Sequence, residues 1–160
     1  MKRLWRPWRI KYILSPKPLN CVLCEKIADN KDRENYILYR SHKGCIMLNL
    51  YPYNSGHLMV VPFRHVPSLE DLDEEELLDF IKLTVKGIEA LRRALNPEGF
   101  NIGINIGKVA GAGIEDHVHL HIVPRWGGDT NFMPIMAETK IIPELLEQTY
   151  DRLVRHFKEG

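Results

Sequence analysis

The chain has 160 residues, 44% of them apolar, and a formal charge of +1. That length suffices for one compact domain with its own core, and the near-neutral balance leaves no basic excess for general nucleic-acid binding or a membrane surface. No apolar run approaches the roughly 18 residues a membrane span needs, and three cysteines are too few for a disulfide framework, so a cytoplasmic protein is expected. Residues 1–20 carry Pro7, Pro16 and Pro18 and read as an extended N-terminal arm ahead of a single domain over 21–160. The basic opening MKRLWRPWRIKY is too rich in Trp and Pro for a signal peptide. YILYR (36–40) and CIMLNL (45–50) read as strands joined by the turn Ser41-His42-Lys43-Gly44. Pro52, Asn54 and Gly56 mark the next turn, and HLMVVP (57–62) reads as a buried strand.

A helix then starts at Asp73, with Glu76 placed to close a capping box. Leu77, Ile81, Thr84, Ile88, Leu91 and Leu95 recur at helical spacing, which predicts that this face packs on a sheet. Asn96-Pro97-Glu98-Gly99 ends the helix. FNIGINIG (100–107) alternates as a strand, GKVAGAG (107–113) is a glycine-rich loop, and HVHLHIVP (117–124) is the next strand. PELLEQTYDRLVRHF (143–157) reads as a closing helix with Pro143 in its first turn. This order predicts an α+β fold: a mostly antiparallel sheet of about five strands, one long helix and a C-terminal helix.

His117, His119 and His121 alternate along the predicted strand, which aims all three imidazoles at one side while Val118, Leu120 and Ile122 enter the core. A solvated strand face, a shared metal and phosphoryl chemistry are the available readings. The last is favoured. A neutral imidazole is a competent nucleophile towards phosphorus, and neighbouring imidazoles can hydrogen-bond the phosphoryl oxygens. In the preceding loop the glycines, Gly111 and Gly113 among them, let backbone N–H groups approach an anion, and Lys108 adds charge.

The run His117-Val118-His119-Leu120-His121-Ile122-Val123 resembles the signature of the histidine triad (HIT) superfamily. LNLYPYNSGHLMVVPFRH (48–65) resembles the family's second block, and the long helix, the FNIGINIG strand and PRWGGDTNF (124–132) follow in matching order. WRPWRIKYI, NLYPYNSGHLMVVP and PRWGGD are most similar to the group of bacterial diadenosine tetraphosphate phosphorylases and related HIT hydrolases. The resemblance implies a HIT-like fold, a homodimer joining two sheets, and a nucleotide substrate cleaved through a covalent intermediate. It makes His119 the nucleophile, gives His117 and His121 orienting and phosphate roles, and adds His57 from the second block. It puts a ribose contact on Asn49, a base pocket on Leu48 and Leu50, and a further contact on Asn105. Gly113 stands where many members carry Gln and the phosphorylases Ser, and the third triad position is His121 rather than the Gln of the uridylyltransferase branch. A nucleoside phosphoramidase and a non-catalytic, zinc-braced nucleotide-binding protein are the alternatives.

Cys21-x-x-Cys24 alone is a weak metal signal. The zinc-containing branch of the family pairs such cysteines with a His after the second block and the first triad His. That set falls on Cys21, Cys24, His65 and His117, so the resemblance implies a structural Zn²⁺; the alternative is a pair of small buried residues. Any Mg²⁺ would enter on the substrate's polyphosphate. Cys45 reads as core, His42 and His156 as surface, and Glu74, Glu75 and Glu76 as a solvated helix start. Trp126, beside Arg125, reads as core or as a shaper of the substrate mouth, and Trp5 and Trp8 with Arg6 and Arg9 read as a clamp or an interface.

Overall fold

The computed structural model describes residues 20–129 and 144–158. The N-terminal arm with Trp5 and Trp8, and Pro143, lie outside them. Five strands form one antiparallel sheet: β1 (Ile37–Arg40), β2 (Gly44–Leu48), β3 (Leu58–Pro62), β4 (Gly99–Ile104) and β5 (Leu120–Arg125), in the order β1-β2-β3-β5-β4. A short α1 (Val22–Ala28) precedes the sheet, the long α2 (Glu74–Leu95) connects β3 to β4, and α3 (Leu146–Lys158) closes the described chain.

Helices α2 and α3 cover one face. Ile46, Leu48, Leu58, Val60, Leu120 and Ile122 meet Phe80, Leu83, Leu91, Leu153 and Phe157 there in one core. On the opposite face Cys45, Met47, Met59 and Val61 pack with Leu23 of α1. The capping box of α2 forms as expected. Asp73 accepts from the Glu76 backbone N–H at 2.8 Å, and the Glu76 carboxylate accepts from the Asp73 N–H at 2.9 Å. Asn96 ends the helix in the left-handed conformation.

Several expectations need correction. The buried stripe of α2 runs through Phe80, Leu83, Thr84, Gly87, Ala90 and Leu91, whereas Ile81 is 56% exposed. Gly87 decides this rotation: a Cβ there would stand 3.0 Å from Ile122 Cδ1, so the helix reaches the sheet along its glycine. Glu76 is buried rather than solvated, because its carboxylate also holds Arg64, with Nε donating at 2.9 Å. The last strand begins at Leu120, not His117. Pro62, which continued pairing would set opposite Val118, has no N–H to give, and its carbonyl is taken by the His117 ring. The Val118 N–H turns instead to the Val66 carbonyl, at 2.7 Å. Strand β4 likewise stops at Ile104, and the chain turns through Gly107 at φ 81°. Helix α1 was not foreseen. It has seven residues, and no side chain caps its N-terminus at Cys21.

Candidate active site

The sheet brings His57, His119 and His121 together on the face opposite α2. His121 lies opposite Met59 in the β3–β5 ladder, and its ring centroid is 4.9 Å from His119 and 5.1 Å from His57. The departure of 117–119 from the ladder fixes the tautomer of His119. His119 Nδ1 lies 2.8 Å from the His117 carbonyl oxygen, which can only accept, so Nδ1 carries the proton and Nε2 the lone pair. A second chain of bonds sets His121. The Tyr53 N–H donates to His57 Nδ1 at 3.0 Å, so His57 is protonated at Nε2 and donates to His121 Nδ1, also at 3.0 Å. His121 is thereby left with a proton on Nε2 to offer a bound anion. Asn49 Nδ2 is 3.5 Å from His57 Nε2; two N–H groups at that distance do not make a hydrogen bond, and the Asn49 Oδ1 is held by the Tyr51 N–H.

Burial keeps these rings neutral. Desolvation, then the neighbouring His121 and His119, pulls His57 down to about 3. Desolvation followed by His119 pulls His121 down to about 4. His119 also moves below its ordinary value through burial, opposed by its bond to the His117 carbonyl. At neutral pH His119 therefore presents an unprotonated nitrogen and His121 an N–H donor.

The expectation that all three triad imidazoles meet at one place is corrected at His117, whose ring joins a second cluster with Cys21, Cys24 and His65. The His117 Nε2–H donates to the Pro62 carbonyl at 2.8 Å, which leaves the Nδ1 lone pair aimed at Cys21 and Cys24, each 3.4 Å away at Sγ. His65 Nδ1 is 3.4 Å from both His117 Nδ1 and Cys24 Sγ. The four ligand atoms lie within 4.8 Å of one another. A tetrahedral metal with bonds of about 2.0–2.3 Å has ligand–ligand edges of about 3.3–3.8 Å, and the four contacts at 3.4 Å are compatible with such an ion. Helix α1 carries both cysteines: Cys21 is its N-cap and Cys24 sits in its first turn. Desolvation and the adjacent Cys21 push the Cys24 thiol up to about 11. Cys45 is fully buried and, through desolvation, pushed up to about 12, so it is core.

A HIT domain family model matches residues 30–128. The chain belongs to the HIT family. It is 40% identical over 159 residues to the AP-4-A phosphorylase of Mycobacterium tuberculosis, covering 93% of this chain and 80% of that protein. It is 37% identical over 124 residues to the asymmetrical bis(5'-nucleosyl)-tetraphosphatase of Schizosaccharomyces pombe, covering 78% of this chain and 64% of that one. Among solved structures, a Zn-bound histidine triad family protein from Mycobacterium smegmatis aligns with a TM-score of 0.71 at 26% identity, covering 88% of this chain and 94% of that one.

Around the HIT histidines, the nucleotide-contact expectations divide. Asn49 is half-buried and Leu50 is 37% exposed in the turn after β2, beside His57. Leu48 packs in the α2 core on the other face of the sheet. Asn105 is half-buried just past β4. Lys108, Gly111 and Gly113 are exposed on the loop between β4 and β5, where Gly107 and Gly111 (φ 92°) bracket a short 3-10 turn. Trp126 lines a different space, an open cleft of about 870 Å³ bordered by Asn54, Leu95, Gln148 and Arg155. Sequence reading missed Tyr53, whose ring stacks on His57 at 5.0 Å, and Asn54. Asn54 accepts the His57 N–H at 3.2 Å and donates to Asp129 at 2.9 Å, and Asp129 also binds Arg125 Nε at 2.6 Å. This latch ties the turn that carries His57 to the PRWGGD loop. The turn residues around Asn54 were its only signal.

Proposed function

We propose that this protein cleaves dinucleoside polyphosphates, such as diadenosine tetraphosphate, through a nucleotidyl group carried on His119 Nε2. The observation that carries this reading is the tautomer of His119, with Nδ1–H on the His117 carbonyl, in a ring whose centroid is 4.9 Å from that of His121. In the first half-reaction Nε2 attacks the α-phosphorus and forms a P–N bond. The P–O bond to the leaving nucleotide breaks, and that oxygen departs with the electron pair. The His117 carbonyl stabilises the positive charge that develops on the ring, and the His121 N–H bonds a phosphoryl oxygen. In the second half-reaction an oxygen of water or inorganic phosphate attacks phosphorus, and the P–N electron pair returns to Nε2.

Asn49 and Leu50 flank this site as ribose and base contacts. Asn105, Lys108 and the backbone at Gly111 and Gly113 would meet the phosphates, and any Mg²⁺ arrives on the substrate. Cys21, Cys24, His65 and His117 would hold Zn²⁺, which supplies a fixed cross-link between α1 and the segment leading into β5. The contacts at 3.4 Å and the His117 Nδ1 lone pair turned to both thiols support this choice. A homodimer is supported by the edge position of β4 with Ile102 46% exposed, together with Leu78, Ile81 and Val85 exposed on α2. Arg92 of α2 lies over the Phe100 ring of β4, which makes these surfaces neighbours. Thiol ligands suit the reducing cytoplasm, where we place the protein.

Incubation with diadenosine tetraphosphate, with and without inorganic phosphate, tests the proposal. ADP and ATP formed only with phosphate identify phosphorolysis, and AMP and ATP formed without it identify hydrolysis. Absence of turnover in both would refute the proposal.

A further inference from the structure

Gly103 sits inside β4, opposite His121, in a register that runs without a slip from Gly99↔Arg125 to Ile104↔Leu120. Directly opposed residues of an antiparallel pair share a face, so position 103 belongs to the imidazole side. Glycine weakens a strand interior relative to alanine. It is found there at bulges, at tight bends, or where a ligand or another backbone comes close. The continuous register excludes a bulge. The backbone does not require glycine either, because the positive-φ glycines are Gly56, Gly107, Gly111 and Gly128. Nor does packing: a Cβ at 103 meets nothing within 4 Å, whereas at Gly44 it would meet the Val61 carbonyl oxygen at 2.7 Å. No described residue fills the space that a side chain at 103 would take, so the face of the sheet directly beside His121 stays open there.

The sheet order shows which part of a substrate would meet that opening. Strand β5 lies between β3 and β4. The turn carrying Asn49, Leu50 and His57 lies on the β3 flank of His121, and His57 touches it at 3.0 Å. Gly103 lies on the opposite, β4 flank. If the transferred nucleoside rests against Asn49 and Leu50, the second substituent of the reacting phosphorus extends over Gly103. We infer that Gly103 is a specificity-determining residue that keeps open the space beside His121 for the leaving half of the substrate. This rests on the proposed function. It assigns the width at 103 to admitting a bulky polyphosphate leaving group, and no bond changes at the glycine itself.

The test compares Gly103→Ala and Gly103→Val with the wild type. Both replacements favour a strand, so thermal midpoints at or above the wild-type value are expected. The alanine variant should lose about threefold to tenfold in kcat/KM for diadenosine tetraphosphate and the valine variant about thirtyfold or more. AMP has no leaving half, so its affinity in the valine variant should stay within about threefold of wild type. Three results would overturn the inference: valine-variant turnover at the wild-type level, a parallel loss of AMP affinity, or loss of activity only because gel filtration shows the oligomer dissociating. A wild-type protein that turns over nothing would instead refute the proposed function, and the leaving-group role with it.

Discussion

Removing the His57 ring tests the relay that orients His121. The ring is fully buried, receives the Tyr53 N–H at 3.0 Å and gives its own N–H to His121 at 3.0 Å. In His57→Ala both partners lose their mate, and an unmet buried donor or acceptor costs about 1–3 kcal/mol. The part that falls on His121 releases its tautomer, so the form with the proton on Nε2 loses up to that amount of its advantage. One pKa unit or tenfold in rate is about 1.4 kcal/mol, so kcat should fall at least about twofold, the factor for tautomers that even out, and at most about 150-fold. Since His57 is shielded from substrate, KM should stay within about threefold. Initial rates on diadenosine tetraphosphate, measured well below the variant's thermal midpoint, read this directly. His57→Gln, which keeps an N–H donor, should recover part of kcat and serves if the alanine variant does not fold. Wild-type kcat in a folded alanine variant, or a loss confined to KM, would refute the relay.

Other outcomes follow from the same geometry. Purified protein should hold about one equivalent of zinc, and Cys24→Ser should lose it with a 10- to 100-fold fall in activity; less than about a tenth of an equivalent in the wild type would rule the zinc out. Burial holds His57 and His121 at about 3 and about 4, below the ordinary value of about 6.5, so only the unfolded chain takes up protons as pH falls below about 6.5. Their contribution to stability is complete above that pH and is lost progressively towards pH 4. The thermal midpoint should therefore drop between pH 7.5 and 5, and drop less in His57→Ala; an equal drop would contradict this. Leu91→Ala, at a fully buried contact of α2 with the sheet, should destabilise by about 2–5 kcal/mol in denaturant titration with kcat unchanged.

What was legible in the sequence is what local chemistry decides. The capping box at Asp73 and Glu76 involves residues three apart, and its bonds form as read. The clustering of Cys21, Cys24, His65 and His117 was also anticipated, though from family resemblance rather than spacing. Features set by distant partners were not legible. The start of β5 depends on Pro62, some sixty residues away, whose carbonyl binds His117. The inward face of α2 depends on where Gly87 meets Ile122. Glu76 is buried because Arg64 reaches it, and Leu48 faces α2 because of the pleat of β2, which no turn residue announces. The same long-range origin hid the Asn54–Asp129 latch.

The covalent step admits a direct measurement. Protein mixed with diadenosine tetraphosphate, quenched within a turnover and digested at neutral to alkaline pH, should yield one adenylylated peptide, with the modification on His119. The adduct should be absent in His119→Ala. Rapid turnover with no adduct at any quench time, or an adduct on another side chain, would contradict a nucleotidyl group carried by this imidazole.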